Sequence, residues 1–236
     1  MANRSGGRSG FFRSPVGRKV LTGVTGLGLT LFTIMHLAGN LSLLSSDTDA
    51  FNRYTEKLAS FGPLLYVVEL GLLAFFLFHA VVGISIFLKK KAARPVDYAV
   101  YNSAGGASHQ SLASRSMIIT GSIILAFLVF HIISFKYGPG IKDGYVTMVD
   151  GHEVRDLRRL VYEKFSMPLY AFGYPLVMIL LGIHLRHGIW SALTSLAAVK
   201  PRLSPLVYTI GGVIGGLIAL GFVILPLAIY FGGGAQ

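Results

Sequence analysis

The sequence predicts an all-α integral membrane bundle of five transmembrane helices. Three observations carry that prediction. Only 13% of the 236 residues are charged, about half the roughly 25% of an ordinary soluble domain. Hydrophobic residues make up 53% of the chain, and the mean hydropathy is +0.64. The apolar residues gather in runs that reach the ~20 residues a helix needs to cross the hydrocarbon core of a bilayer.

The elements follow in order. Residues 1–14 are rich in Gly, Ser and Arg and read as a basic flexible tail. A basic start before an apolar run raises a secretory signal. This run is too long for that, lacks a small-residue cleavage site and contains His36, so it reads as a retained first helix over 15–44. Pro15 suits its first turn, where a missing N–H matters least. A polar loop over 45–62 leads to a second helix over 63–88, closed by Lys89, Lys90 and Lys91. A polar, small-residue loop over 92–113 leads to a third helix over 114–135. The charged segment 136–166 has room for a short hairpin or helix. A fourth helix covers 167–198 and a fifth 204–231, so 15–236 forms one five-helix transmembrane domain. No internal repeat is visible beyond a His-x-x-x-Gly pattern at His79–Gly83 and His184–Gly188.

Charge sets the orientation. The tail, the second loop and the last loop, with the helix ends beside them, hold thirteen basic residues against one acid, Asp97; the opposite side holds eight of each sign. The positive-inside rule therefore places the N-terminus in the cytoplasm and the C-terminus outside.

Four of the seven histidines, His36, His79, His131 and His184, lie inside apolar helices, one in each of the first four. A single intramembrane histidine is commonly a packed, hydrogen-bonded residue. One in each of four helices points to a functional site. Helix direction sorts them into two layers: His36 and His131 toward the outside, His79 and His184 toward the cytoplasm. Each layer offers two imidazoles from different helices, which is what bis-histidine ligation of a b-type haem requires. Filling both axial positions suits electron transfer rather than ligand chemistry. The chain has no cysteine, which excludes thiolate-ligated haem and iron–sulfur ligation by this chain. Zinc wants three or four ligands gathered at one point, and two separated pairs do not supply them. Arg18, Lys19, Arg115 and Arg186, at the cytoplasmic helix ends, are candidates to neutralise haem propionates, beside their ordinary role as interfacial anchors. Tyr66, Tyr162 and Trp190 suit an aromatic belt. Glu69, about six residues into the second helix, is the one acid within a span and a candidate for quinone-linked proton exchange. The alternative for Glu69 is a neutral carboxyl hydrogen-bonded to a neighbouring helix.

These residues resemble a known family. The stretch from Ser14 to Leu41 with its His36-Leu-Ala-Gly-Asn ending, Phe78-His79-Ala80 with Gly83, Ser114-Arg115 leading to His131, and His184-x-x-x-Gly188-Ile-Trp190 are together similar to the single-anchor, five-helix, dihaem cytochrome b subunit of succinate:quinone oxidoreductases, the membrane part of respiratory complex II. The resemblance implies one haem b between His36 and His131 and another between His79 and His184, with His184 favoured over His187. It implies a quinone substrate, menaquinone in this type, in a bacterial cytoplasmic membrane. It also implies an iron–sulfur subunit docked on the basic face and, beyond it, a flavoprotein with FAD that carries out the succinate or fumarate chemistry. Some relatives carry a glutamate two residues before the fourth-helix ligand, linked to proton transfer; here that residue is Gly182. Two other readings stay open: a dihaem cytochrome b serving a hydrogenase or formate dehydrogenase, and a proton-coupled transporter without haem.

Overall fold

The computed structural model describes residues 14–93 and 112–232. The tail expected over 1–14, Ser14 apart, and most of the loop expected over 92–113 lie outside the described residues.

The first helix, α1 (Pro15–Asn40), begins where Ser14 Oγ accepts the Gly17 N–H at 2.9 Å, an N-cap that satisfies an otherwise orphaned donor. It ends earlier than the 44 expected. Asn40 Nδ2 donates to the His36 carbonyl at 2.7 Å, and Leu41–Leu44 tighten into a 3-10 turn that buries Leu43. The expected polar loop that follows contains a helix, α2 (Ala50–Ala59). It buries Phe51 and Asn52 and leaves Arg53 and Lys57 exposed. So short an amphipathic helix has too few apolar residues to show beside 20-residue spans.

Helix α3 (Pro63–Ala92) runs through the lysines expected to end it, because lysine propagates a helix well. Helix α4 (Leu112–His131) continues as a π-helical turn, Ile132–Lys136, in which the Tyr137 N–H reaches back to the Ile132 carbonyl at 3.1 Å. The segment beyond holds both a hairpin and a helix. Strands β1 (Val146–Val149) and β2 (His152–Arg155) pair antiparallel with Val149 opposite His152. Asp150 and Gly151 turn between them with φ of 50° and 85°, the Asp-Gly pair that such a two-residue loop favours. Helix α5 (Leu157–Phe165) follows, capped by Asp156, then α6 (Pro168–Ser195) and α7 (Ser204–Phe231). Helix α6 stops short of 198, and Ala197 just beyond it has φ 55°.

Among the described residues, α1, α3, α4, α6 and α7 are each long and apolar enough to cross a membrane. Contacts fix their alternating directions. Arg18 meets Ser85 while Gly28 faces Phe75, so α1 and α3 are antiparallel. Thr120 meets His184 while Ser134 meets Tyr170, so α4 and α6 are antiparallel. Gly182 faces Gly215 while Trp190 Nε1 donates to Ser204 Oγ, so α6 and α7 are antiparallel. One end of the bundle therefore gathers Arg18, Lys19, Lys89, Lys91, Arg186 and Arg202, and is called here the basic end.

The other end carries a cap made of α2, the hairpin and α5. Buried Asn52 joins α2 to the start of α5: Nδ2 donates to Asp156 Oδ1 at 2.8 Å, and its side-chain oxygen accepts the Arg158 N–H at 2.9 Å. The Arg155 guanidinium donates to the carbonyls of Phe135 at 2.8 Å, Pro139 at 3.0 Å and Gly138 at 3.1 Å. It thus satisfies acceptors that the end of a helix leaves open. Tyr162 Oη donates to the Leu43 carbonyl at 2.9 Å, tying α5 to the end of α1.

Candidate functional site: two layers of paired imidazoles

The helices bring the four intramembrane histidines together in two pairs. His36 of α1 and His131 of α4 have ring centroids 5.8 Å apart at 89°. His79 of α3 and His184 of α6 have centroids 6.4 Å apart at 69°. His79 lies against Gly26 of α1, and His184 against Gly121 of α4. His36 follows Gly26, and His131 follows Gly121, by the same ten residues. Ten residues of helix rise ~15 Å, so the two layers are stacked by about that distance along the bundle.

The pair nearer the basic end is tightly built. A Cβ on Gly26 would lie 3.1 Å from His79 Cε1, and one on Gly121 would lie 3.3 Å from His184 Cε1. Glycine at these two positions lets each ring press against a helix backbone. Beside each glycine is a threonine. Thr25 Oγ1 lies 3.2 Å from His79 Nδ1, and Thr120 Oγ1 lies 3.0 Å from His184 Nδ1. Each threonine also donates along its own helix, Thr25 to the Leu21 carbonyl at 2.8 Å and Thr120 to the Ser116 carbonyl at 3.0 Å. A carbonyl oxygen can only accept and a hydroxyl has one proton, so that proton is committed to the backbone. With that proton on the backbone, the ring contact is assigned as Nδ1–H donating to the threonine oxygen; the His79 ring also reaches the Thr22 carbonyl. Nε2 is left with its lone pair, the form in which a histidine ligates a metal.

The pair nearer the cap is held by aromatic rings instead. His36 stacks on Phe32 at 5.5 Å, and His131 stacks on Phe127 at 5.8 Å. Phe222 of α7 and Tyr174 of α6 close the sides. His131 Nδ1 is buried without a hydrogen-bond partner.

Both pairs fit a shared iron. Two imidazoles, each at the ~2 Å metal–nitrogen distance, hold their ring centroids roughly 6 Å apart, and the two separations fall on either side of that value. Among the described residues no third His, Asp or Glu joins either pair in a cluster of three. A side chain at Gly83 or Gly188, one turn from His79 and His184, would meet nothing within 4 Å, so there is room for a flat group beside each ring.

The pattern behind this geometry is a repeat that the sequence reading missed. Thr25-Gly26-x5-Phe32-x3-His36 in α1 recurs as Thr120-Gly121-x5-Phe127-x3-His131 in α4, spacing for spacing. Comparing the third helix with the first, rather than looking for His-x-x-x-Gly alone, finds both threonines.

The remaining candidates are dispersed. His187 does not meet His79; it is 9% exposed, lies against Trp190 at 5.5 Å and leaves Nδ1 unpartnered. Arg18 is half-buried with Nη1 donating to Ser85 Oγ at 3.4 Å, and Lys19 is exposed. Arg186 lies over the Tyr208 ring at 4.7 Å. It lines a shallow groove of about 260 Å³ with Gly182, Gly212 and Gly216, toward α7 rather than toward His79. The side chain of Arg115 lies outside the described residues. Glu69, the acid expected either to exchange protons with a quinone or to be a neutral carboxyl bonded to a neighbouring helix, forms an ion pair with Lys136 in the π-helical turn. It stands ten residues from His79, ~15 Å along α3, at the level of the cap-end pair. Gly182 faces α7: a Cβ there would lie 2.8 Å from Ala219 Cβ. The position is used for close helix packing, and a glutamate would not fit it.

Fold and site together define an integral-membrane helix bundle that stacks two paired-histidine layers along its axis. Residues 11–102, which contain one histidine of each pair, match the family model described as succinate dehydrogenase/fumarate reductase transmembrane subunit. No curated protein and no solved structure matches the chain.

Proposed function

We propose that the chain is the membrane anchor and electron-carrying subunit of a succinate dehydrogenase or fumarate reductase, holding one haem b between His36 and His131 and another between His79 and His184. The observation that carries this reading is the pairing itself: centroid separations of 5.8 Å and 6.4 Å in two layers, in a chain whose residues 11–102 match that family model. Each haem, when bound, supplies a one-electron carrier.

The chain's own residues do the rest. His36, His79, His131 and His184 would hold the two haems, and a haem held by two histidines favours electron transfer over ligand binding. Thr25 and Thr120 hold two of those rings in place. Arg18 and Lys19 at the basic end offer positive charge to propionates of the nearer haem. The basic end faces the cytoplasm by the positive-inside rule and receives the iron–sulfur subunit, through which the flavoprotein with FAD delivers or takes electrons. At the level of the other pair, Glu69, ion-paired with Lys136, would serve as a proton acceptor for menaquinone. Dicarboxylate chemistry belongs to the partner subunits.

The test is a reduced-minus-oxidised visible spectrum with a pyridine haemochrome count, on wild type, His79→Ala and His131→Ala. Two b haems in wild type and one lost in each variant are the expected result. A well-folded wild type without a b-type spectrum would overturn the reading. Co-purifying flavoprotein and iron–sulfur subunits separate it from an anchor of another quinone-linked dehydrogenase.

A further inference from the structure

Resting on that haem reading, we infer that Thr25 and Thr120 are positioning residues that tune the redox potential of the basic-end site and leave the cap-end site untouched. The two layers use the same ligand chemistry but differ in what stands behind the rings. At the basic end each imidazole donates Nδ1–H to a threonine oxygen whose own proton is committed to a backbone carbonyl. At the cap end the rings stack on Phe32 and Phe127, and His131 Nδ1 has no hydrogen-bond partner.

A donated Nδ1–H shifts electron density toward Nε2 and makes the ring a more basic ligand. A more basic axial ligand stabilises ferric over ferrous iron, because the oxidised ion carries the extra positive charge. Hydrogen bonding of this kind is one of the levers by which a protein sets a haem potential. The threonines therefore hold the basic-end potential below the value the same two histidines would give without them. The geometry leaves little slack. Gly26 and Gly121 let His79 and His184 approach close to the helix backbone, and each threonine is the residue immediately before its glycine.

The experiment is a potentiometric titration of the visible b bands, with EPR of the low-spin ferric signals, on the assembled membrane complex. The variants are Thr25→Val and Thr120→Val, their serine counterparts, and Thr30→Val as a control. Thr30 is a buried threonine of α1 that donates to the Gly26 carbonyl. Each valine variant is expected to raise the midpoint potential of one and the same b component. A tenfold loss of ferric preference, the lower end of outer-shell effects on metal affinity, reads as a rise of ~59 mV for a one-electron couple. The other component stays in place, and the serine variants and Thr30→Val match wild type. Should the valine variants lose that haem outright, retention by the serine variants assigns the effect to the hydroxyl. Loss in the serine variants as well would overturn the inference. So would two haems with unmoved potentials in both valine variants, equal shifts in both components, or an equal shift in Thr30→Val. A wild type with no b spectrum at all would instead remove the haem reading on which the inference rests.

Discussion

His184 and His187 lie three residues apart, so their directions differ by only ~60° round the helix, yet their surroundings differ. His184 turns toward Thr120 and His79, while His187 turns into the packing around Trp190. Replacing His184 with alanine is expected to remove the same haem that His79→Ala removes, whereas His187→Ala keeps both; a haemochrome count per chain distinguishes them. The four paired histidines were legible in the sequence because an ionisable residue in an apolar span stands out. Thr25 and Thr120 were not. A threonine inside a membrane helix usually bonds back to its own backbone, as these two also do, and nothing in one helix shows which ring lies across from it. The Glu69 partner was hidden for another reason: Lys136 reads as the first residue of a charged loop, and a π-helical turn carries it back to α3.

At the scale of elements, the cap shows most clearly what patterning leaves out. Long apolar spans announce themselves; α2, the hairpin and α5 are short, polar and held by specific hydrogen bonds. Asn52 ties α2 to the start of α5, so Asn52→Ala leaves two partly buried partners without that bond and is expected to cost about 1–3 kcal/mol, read as earlier proteolysis of the cap while the spans persist. Acid should loosen the same region. Hydrogen bonds from the Tyr145 hydroxyl and from Arg159 hold the Glu163 carboxyl below the usual carboxylate range, and the hydrogen bond from Arg53 does the same for Asp47. A carboxyl depressed in the folded state stabilises it above the unfolded value of ~4 and loses that contribution as pH falls through the folded value. The melting-temperature gap between wild type and a Glu163→Gln, Asp47→Asn variant should therefore be present at neutral pH and close below about pH 4. A gap unchanged by pH would sink the assignment. Between α6 and α7, Gly182 and Gly215 meet so closely that Gly215→Leu is expected to destabilise the helix pair by about 1–3 kcal/mol, measured as a lowered melting temperature of the purified complex.

For the whole molecule, the described basic residues Arg18, Lys19, Lys89, Lys91, Arg186 and Arg202 gather at one end of the bundle, opposite the cap. Because the chain has no cysteine, single cysteines introduced at Lys57 in the cap and Lys91 at the basic end report orientation directly. In right-side-out vesicles a membrane-impermeant maleimide should label the first and spare the second. Labelling of the second alone would invert the bundle. Helix α7 carries none of the paired histidines, yet it packs along α6 and places Phe222 beside His36, so it supports the site without belonging to the four helices that form it.

The recurrence of Thr-Gly-x5-Phe-x3-His reaches further than either helix. Each instance opens the same series: a span, an amphipathic helix in the cap, then a proline-started span with His-x-x-x-Gly. α1, α2 and α3 form one series, and α4, α5 and α6 the other. His36 is thus the counterpart of His131, and His79 of His184. Each histidine pair therefore joins equivalent positions, one from each series. The protein is organised as a dimer of helix pairs written on a single chain. Both histidine pairs lie where the two halves meet, so neither half contains a complete pair.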